Sequence, residues 1–285
     1  MPSSYIEVEV KANAELVENL IGILSQLGFE GFWEDSATLK CYISSSRWNS
    51  SMQAETEATI RRMTRPSSTP QPQMLVRTVT DKNWNEEWEK TIEPIQVTDR
   101  IVIKPTWHQY TPSAGQIVLT IDPKMSFGTG YHETTRLALR LMEKYVKPDM
   151  SILDVGTGTG VLAIAGVKLG ARSAVGIDID EWSSTNALEN VLLNHVGRQV
   201  TIHQLELDSL PPLTFDLIVA NIQLNVIVLM LPEMKRRLSA AGLVILSGLL
   251  VDGRDEILKR LAAHEFQVHD EMTENEWIAL AAKQP

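Results

Sequence analysis

Residues 151–160, Ser-Ile-Leu-Asp-Val-Gly-Thr-Gly-Thr-Gly, constrain the fold of this chain more than any other segment. An apolar run stops at three alternating glycines, and the apolar residues that resume at Val161 have helical character. Glycines permit positive φ angles and, because they lack a Cβ, let a ligand lie directly against the backbone. The segment therefore predicts a strand, a tight turn and a helix start, which together form the first half of a ligand-binding βαβ unit.

The spacing of these glycines distinguishes between ligand classes. A dinucleotide-binding fingerprint, G-x-G-x-x-G, needs a third glycine at position 161, which is Val. The chain has D-x-G-x-G-x-G instead, and the carboxylate of Asp154 disfavours a pyrophosphate but could hold a cationic or amino-bearing ligand. The loop resembles the S-adenosylmethionine (SAM) loop of class I methyltransferases, with Gly156 and Gly158 as candidate cofactor-binding residues.

A second acid agrees with this interpretation. The stretch 174–178 reads as the next strand and ends in Asp178, whose carboxylate is placed to accept hydrogen bonds from both ribose hydroxyls of an adenosine. The alternative is that Asp178 caps the following helix. Asp180 suits that role better, because it lies closer to the helix start expected near Glu181.

The order of the remaining segments predicts an α/β fold. Strands are expected near 100–104, 117–121, 151–155, 174–178, 200–204, 216–220, 243–247, 266–270 and 277–281, and helices near 133–145, 161–169, 182–194, 224–238 and 253–263. This alternation predicts a Rossmann-like class I methyltransferase domain over 94–285, with a seven-stranded, mainly parallel sheet covered on both faces. Ligands of such sheets bind at the carboxyl ends of the strands.

The first part of the chain has a different pattern. Residues 1–80 read as βαββαβ, which predicts a smaller, N-terminal ferredoxin-like α+β domain, to which we assign substrate recognition. A linker helix is expected over 81–93, with Trp84 and Trp88 on one face. Packing of one domain on the other explains these tryptophans better than stacking on a substrate.

Composition excludes several classes of protein. The net charge of −10 argues against a broad nucleic-acid-binding surface and favours a basic partner. One cysteine, Cys41, suits a reducing cytosol, and the start of the chain lacks the features of a signal peptide. Polar residues interrupt the longest apolar tract, so no membrane span is expected. We expect a cytoplasmic monomer.

Two further segments carry candidate chemistry. Residues 122–136 contain a glycine loop that either forms a capped helix start, with Thr134 or Thr135 as the cap, or a lid with Phe127 near the cofactor. The strand near 216–220 leads into Asn221, which is either a turn former or an acceptor that aims the nucleophilic nitrogen at the methyl group. A structural role suits His132, and we assign no general base and no metal site.

In combination these motifs resemble the ribosomal protein L11 methyltransferase (PrmA-like) family. The most specific is Phe-Gly-Thr-Gly-x-His-x-Thr-Thr, which ends at Thr135, and the resemblance covers nearly the whole chain. It also rests on the Trp84/Trp88 linker with Glu93-Pro-Ile, on the glycine loop, on Gly176-Ile-Asp-Ile-Asp and on Val219-Ala-Asn-Ile.

The resemblance implies SAM-dependent methylation of lysine ε-amines and of the N-terminal α-amine of ribosomal protein L11. It implies that Thr135, Gly156, Asp178 and Asn221 contact SAM, with Phe127 nearby, and it moves the choice for Thr135 toward function. The N-terminal domain would grip the substrate while a mobile linker presents different amines to one active site. Two alternatives are a SAM-dependent methyltransferase of another protein or small amine, and a non-catalytic SAM-binding module of the ribosome.

Overall fold

The computed structural model describes residues 4–11, 17, 20, 21, 23–25, 27–35, 38–63, 74–80, 93–124 and 126–284. The chain divides into two compact units, residues 1–86 and 87–285. The expected linker helix, with Trp84 and Trp88, lies outside the described residues except at its last position, so the domain boundaries at 80 and 94 stay predictions. Within the described ranges no helix is long and apolar enough to cross a membrane.

The N-terminal unit contains a four-stranded antiparallel sheet in the order β2-β3-β1-β4. Its elements are β1 (Ser4–Lys11), β2 (Gly31–Asp35), β3 (Thr38–Ser44), α1 (Ser50–Met63) and β4 (Leu75–Thr80). Alternate residues of β1 and β3 are buried, as the period-2 pattern of their apolar side chains requires. Burial raises the pKa of the Cys41 thiol to about 12, so this cysteine is an inert core residue.

The second unit is built on a seven-stranded sheet in the order β10-β9-β8-β11-β12-β14-β13. Its strands are β8 (Ser151–Val155), β9 (Ser173–Asp178), β10 (Val200–Gln204), β11 (Phe215–Asn221), β12 (Leu238–Leu250), β13 (Gln267–Glu274) and β14 (Trp277–Lys283). Neighbouring strands are parallel except where β14 pairs with β12 and β13. The expected seven-stranded, mainly parallel sheet is confirmed.

Helices cover both faces of this sheet. They are α2 (Glu133–Tyr145), α3 (Val161–Lys168), α4 (Glu181–Leu193), α5 (Leu224–Arg237) and α6 (Arg254–Ala263). Successive residues of β8 point to opposite faces, so Ile152 joins one apolar core and Leu153 the other. A separate three-stranded sheet contains β5 (Ile95–Gln96), β6 (Ile101–Lys104) and β7 (Ile117–Thr120).

The connections around β8 determine where a ligand can bind. From β8 the chain crosses to β9 on one side, and it later returns to place β11 on the other. The strand order therefore reverses beside β8, and in open α/β sheets a crevice forms at that point, outside the carboxyl ends of the strands.

Candidate functional site

A cavity of about 530 Å³ opens at the carboxyl ends of β8, β9 and β11. Five of the six residues predicted from the sequence line it: Phe127, Gly156, Gly158, Asp178 and Asn221. The sixth, Thr135, is fully buried and does not line the cavity, but its hydroxyl contacts Asn221. The topology thus brings together residues that lie far apart in the sequence.

The glycine loop after β8 presents bare backbone to this cavity. Gly156 and Gly158 have φ angles of +71° and +54°, in the left-handed region that favours glycine. A Cβ on Gly158 would collide with the backbone carbonyl oxygen of Phe127, so no other residue fits there without a shift of the backbone. The loop is anchored to β9, because the Gly156 and Thr157 amides both donate to the Ile177 carbonyl at 2.9 Å.

Asp154 has a different role from the one that its position in the motif suggested. It is fully buried and does not line the cavity. One carboxylate oxygen accepts hydrogen bonds from the Thr157 hydroxyl at 2.7 Å and from the Ala163 amide at 3.0 Å. Burial raises the pKa of this carboxyl to about 7. Asp154 therefore joins the loop to the first turn of α3 and does not itself present a carboxylate to a ligand.

Asp178 lies on the cavity wall at the end of β9. One of its oxygens accepts a hydrogen bond from the Gly158 amide and the other from the Asp180 amide, both at 3.0 Å. The capping role belongs to Asp180, as expected, because its side chain accepts a hydrogen bond from the Ser183 amide at the start of α4. The Asp178 carboxylate is thus held in place by two backbone donors beside the cavity.

The segment before α2 packs against the glycine loop. The Phe127 carbonyl accepts a hydrogen bond from the Thr159 amide at 2.9 Å, and the Thr159 hydroxyl donates to the Gly128 carbonyl at 2.8 Å. Phe127 remains 53% exposed, and the centroid of its ring lies 5.3 Å from that of His132. These bonds fix the backbone of Phe127 and leave its ring at the cavity.

The N-cap of α2 is His132, whereas the sequence suggested Thr134 or Thr135. The His132 ring nitrogen accepts a hydrogen bond from the Thr134 amide at 3.3 Å, and both threonines lie inside the first helical turn. The prediction of the cap was wrong because threonine is a common N-cap and histidine is not among the strongly preferred ones. The structural role expected of His132 is confirmed by this cap.

Electrostatic contacts hold α2 on the edge of the sheet. Arg136 and Arg140 both form ion pairs with Glu274 of β13. The Nη1 atom of Arg140 lies 2.7 Å from the Oε2 atom of Glu274. The hydrogen bond from Arg136 lowers the pKa of the Glu274 carboxyl, so the pair stays charged at neutral pH. Both arginines come from the same helix as Thr134 and Thr135, so this pairing helps to fix the first turn of α2.

Asn221 ends β11 and faces both the cavity and α2. Its amide nitrogen donates to the Thr135 hydroxyl at 3.3 Å. Its amide oxygen is buried and has no hydrogen-bond partner among the described residues. An unpaired buried acceptor costs about 1–3 kcal/mol, and such atoms in native proteins are commonly satisfied by a ligand or a water.

The sequence did not reveal two groups of residues around the site. Trp277, at the start of β14, lines the cavity and packs edge to face on His132, with ring centroids 4.8 Å apart. Asn190 of α4 accepts from the Asp122 amide and donates to the Thr159 carbonyl, both at 2.9 Å. The four-residue spacing of buried Asn186, Asn190 and Asn194 was a usable signal for the second group, whereas nothing in the local sequence marks Trp277.

Comparison with known proteins places these features in a family. The family model described as "Ribosomal protein L11 methyltransferase (PrmA)" matches residues 4–285. A protein of that name from Chlorobaculum tepidum is 39% identical over 281 residues, covering 97% of this chain and 95% of that protein. One from Listeria welshimeri is 35% identical over 268 residues, covering 93% and 85%.

A solved structure gives a similar result. The crystal structure of a ribosomal protein L11 methylase from Lactobacillus delbrueckii subsp. bulgaricus is 36% identical to this chain, with a TM-score of 0.64. The alignment covers 68% of this chain and 99% of that one.

Proposed function

Because this chain belongs to the ribosomal protein L11 methyltransferase family, we propose that it transfers methyl groups from SAM to amino groups of ribosomal protein L11. The observation that carries this proposal is the extent of the match, which spans residues 4–285 and so includes both units of the chain. Lysine ε-amines and the N-terminal α-amine are the proposed acceptors.

The cavity supports SAM as the cofactor. The glycine loop offers bare backbone, the Asp178 carboxylate can accept from ribose hydroxyls, and the exposed ring of Phe127 can cover the ligand. The buried amide oxygen of Asn221 still needs a donor, which an amino group would supply. When bound, SAM supplies a methyl group that is activated by a sulfonium charge.

The residues of the chain then have two tasks. Gly156, Gly158, Asp178 and Asn221 contact the cofactor, and Asn221 also orients the nitrogen that receives the methyl group. Alignment of the reacting atoms can supply a large part of the rate of an in-line displacement. Asn221 performs this task by accepting an N–H of the amine, which leaves the nitrogen lone pair directed away from the amide.

The amine must be neutral when it reacts. Deprotonating a free lysine with a pKa of about 10.4 at pH 7 costs about 4.6 kcal/mol. Desolvation in the cavity lowers that cost because it destabilises the ammonium form. We therefore assign no general base; His132 lines the cavity, but one of its ring nitrogens caps α2.

Charge and architecture support the choice of partner. The net charge of −10 attracts a basic protein by electrostatic steering. We assign substrate recognition to the N-terminal unit, and we propose a cytoplasmic monomer that makes no direct contact with nucleic acid. Methylation of another protein or of a small amine is the alternative, since it would use the same cofactor residues.

The experiment is mass spectrometry of purified ribosomal protein L11 after incubation with the enzyme and SAM. We expect mass increases in steps of one methyl group, located by peptide mapping on lysines and on the N-terminal amine. An Asp178→Ala variant is the control and should give no increase at a SAM concentration near the dissociation constant of the wild-type protein. If the wild-type protein binds SAM but leaves L11 unmodified, the substrate assignment is wrong.

A further inference from the structure

Strand β7 lies at the edge of the three-stranded sheet, and its free edge carries the backbone groups of every second residue. Side chains from two helices bond these groups in order along the chain. The Lys168 ammonium of α3 donates to the Val118 carbonyl at 2.9 Å. Two asparagines of α4 then bond the backbones of Thr120 and of Asp122, which lies just beyond the strand. Side chains thus take the place of a neighbouring strand.

Asn194 and Asn190 make the same pair of backbone contacts, one helical turn apart. The Asn194 side-chain oxygen accepts from the Thr120 amide at 3.0 Å, and its nitrogen donates to the Thr120 carbonyl at 2.6 Å. The Asn190 oxygen accepts from the Asp122 amide at 2.9 Å, and its nitrogen donates to the Asp122 carbonyl at 3.3 Å. Four residues of a helix and two residues of a strand both advance by about 6 to 7 Å, so α4 fixes the register of this edge.

The third contact of Asn190 distinguishes it from Asn194. The Asn190 nitrogen also donates to the Thr159 carbonyl of the glycine loop, at 2.9 Å. The nitrogen of Asn194 instead donates to the Asn190 carbonyl inside α4, at 2.8 Å. Of these two matched side chains, it is therefore Asn190 that joins the chain at Asp122 to the glycine loop.

The chain that leaves Asp122 packs directly against the glycine loop. We call residues 122–124 and 126–128 the entry segment. Its Phe127 carbonyl accepts a hydrogen bond from the Thr159 amide at 2.9 Å, and a Cβ on Gly158 would collide with the same carbonyl oxygen. Phe127 and Gly158 both line the cavity, so a small change in the separation of the two segments changes the shape of the site. Asn190 bonds the start of the entry segment and the glycine loop at once.

We propose that Asn190 is a positioning residue for cofactor binding, which sets the entry segment against the glycine loop without contacting the cofactor. Asn190 is fully buried and does not line the cavity. This inference rests on the proposed function, because it takes SAM as the ligand of the cavity. Asn194 makes the same backbone contacts but not the bridge, so it should contribute to stability and not to cofactor affinity.

The test compares Asn190→Ala with Asn194→Ala, because each variant loses three hydrogen bonds of its side chain. The dissociation constant of SAM is measured by calorimetry and the melting temperature by circular dichroism. Both variants should melt at a lower temperature than the wild-type protein, by similar amounts. We expect Asn190→Ala to weaken SAM binding by about 5- to 10-fold, as for the loss of one hydrogen bond that holds the site, and Asn194→Ala to leave SAM affinity unchanged.

Turnover gives a second readout. With ribosomal protein L11 as the acceptor, Asn190→Ala should raise KM for SAM while kcat at saturating SAM stays close to the wild-type value, as expected when only binding is lost. In Asn190→Ala the Asp122 carbonyl keeps its hydrogen bond from Asn186, at 2.9 Å. If the alanine variants do not fold, Asn190→Ser and Asn194→Ser are compared in the same way, since a hydroxyl and a water can replace part of the lost amide.

Three outcomes would overturn the inference. Equal weakening of SAM binding in the two variants would make the role of Asn190 one of general stability. Wild-type SAM affinity in folded Asn190→Ala would leave it without a role in the site. A loss of kcat at saturating SAM with an unchanged dissociation constant would place its effect on the methyl acceptor instead.

The calorimetric comparison separates this inference from the choice of substrate. It uses SAM alone, so it decides the role of Asn190 even if ribosomal protein L11 is not methylated. If the wild-type protein binds no SAM, the proposed function and this inference fail together.

Discussion

Two walls of the cavity are built in different ways. The cofactor wall, formed by the glycine loop 154–160 and Asp178, is held by contacts such as those of Asp154 with Thr157, 3 residues away, and of Thr159 with Gly128, 31 residues away. The acceptor wall, formed by the first turn of α2, Asn221 and Trp277 with Ser247 buried behind it, is held by contacts that span 86 and 113 residues. The contacts of the first wall therefore cover shorter stretches of sequence than those of the second.

This difference suggests a division of labour. A loop whose shape is set by its own glycines can hold a common cofactor in the same way in many proteins. A wall assembled from distant residues can be adapted to one acceptor without a change in the loop. We therefore expect damage to the cofactor wall to appear in SAM affinity, and damage to the acceptor wall to appear in turnover.

The largest effect on SAM affinity should come from Gly158→Ala, which disturbs the backbone of the cofactor wall. The new Cβ would collide with the Phe127 carbonyl, at a residue that already has φ of +54°. Strain of this kind costs about 1–3 kcal/mol, which predicts up to about a 100-fold rise in the dissociation constant of SAM, measured by calorimetry.

Gly115→Ala is the matched control for that variant. Gly115 also has a positive φ, of +84°, but a Cβ there meets nothing within 4 Å. It should lower stability by about 1–2 kcal/mol and leave SAM affinity unchanged. Equal losses of affinity in the two variants would show that positive φ alone, and not the close approach of Phe127, accounts for the effect.

The second prediction concerns the pH dependence of the cofactor wall. The pKa of Asp154 is about 7 in the folded chain, against about 3.9 when unfolded, so the folded state binds more protons between these values. The contribution of Asp154 to the free energy of unfolding should therefore fall as pH rises through this window and level off above it.

Asp154→Asn removes this titration with little change of shape. Urea unfolding measured from pH 5 to 8 should show a decline in stability for the wild-type protein that the variant lacks. The side-chain amide oxygen of the asparagine can accept the same two hydrogen bonds, from the Thr157 hydroxyl and the Ala163 amide, so the variant should fold. Parallel pH profiles for the two proteins would contradict the assignment of a raised pKa to Asp154.

The smallest effect on activity should come from Ser247→Ala, next to the acceptor wall. This change removes the hydrogen bond to the Thr134 carbonyl, which is worth about 1 kcal/mol in the free energy of unfolding. We expect a modest loss of kcat with unchanged SAM affinity, because the first turn of α2 becomes less firmly held. A loss of SAM affinity without any loss of kcat would show that Ser247 supports the cofactor wall instead.

The difference between the two walls also explains which parts of the site could be predicted from the sequence. The positions of Gly156, Gly158, Asp178 and Asp180 followed from spacing, because the contacts of a strand–turn–helix unit are local. The bounds of α2 were predicted correctly. Its N-cap was not, because histidine is not among the residues preferred at that position. The role of Asp154 was misjudged because burial, which the sequence does not show, takes its carboxylate away from the cavity.

The acceptor wall was the part that the sequence could not predict. Trp277 and Ser247 carry no motif, and only the pairing of β11 with β12 and of β12 with β14 brings them to the site. Asn221 was identified because it ends a strand at the ligand-binding edge, but its contact with Thr135 depends on how α2 packs on the sheet. Such contacts follow from the topology and not from the spacing of residues along the chain.

The most direct test of this division compares Asp178→Ala with Asn221→Ala, measuring both SAM binding by calorimetry and turnover of ribosomal protein L11. Asp178→Ala should weaken SAM binding strongly. Asn221→Ala should retain most of that affinity while kcat falls by about 100-fold, because the amine is no longer aligned. If both variants lose SAM affinity to the same degree, and kcat at saturating SAM is unchanged in both, the two walls do not have separate functions and the account is wrong.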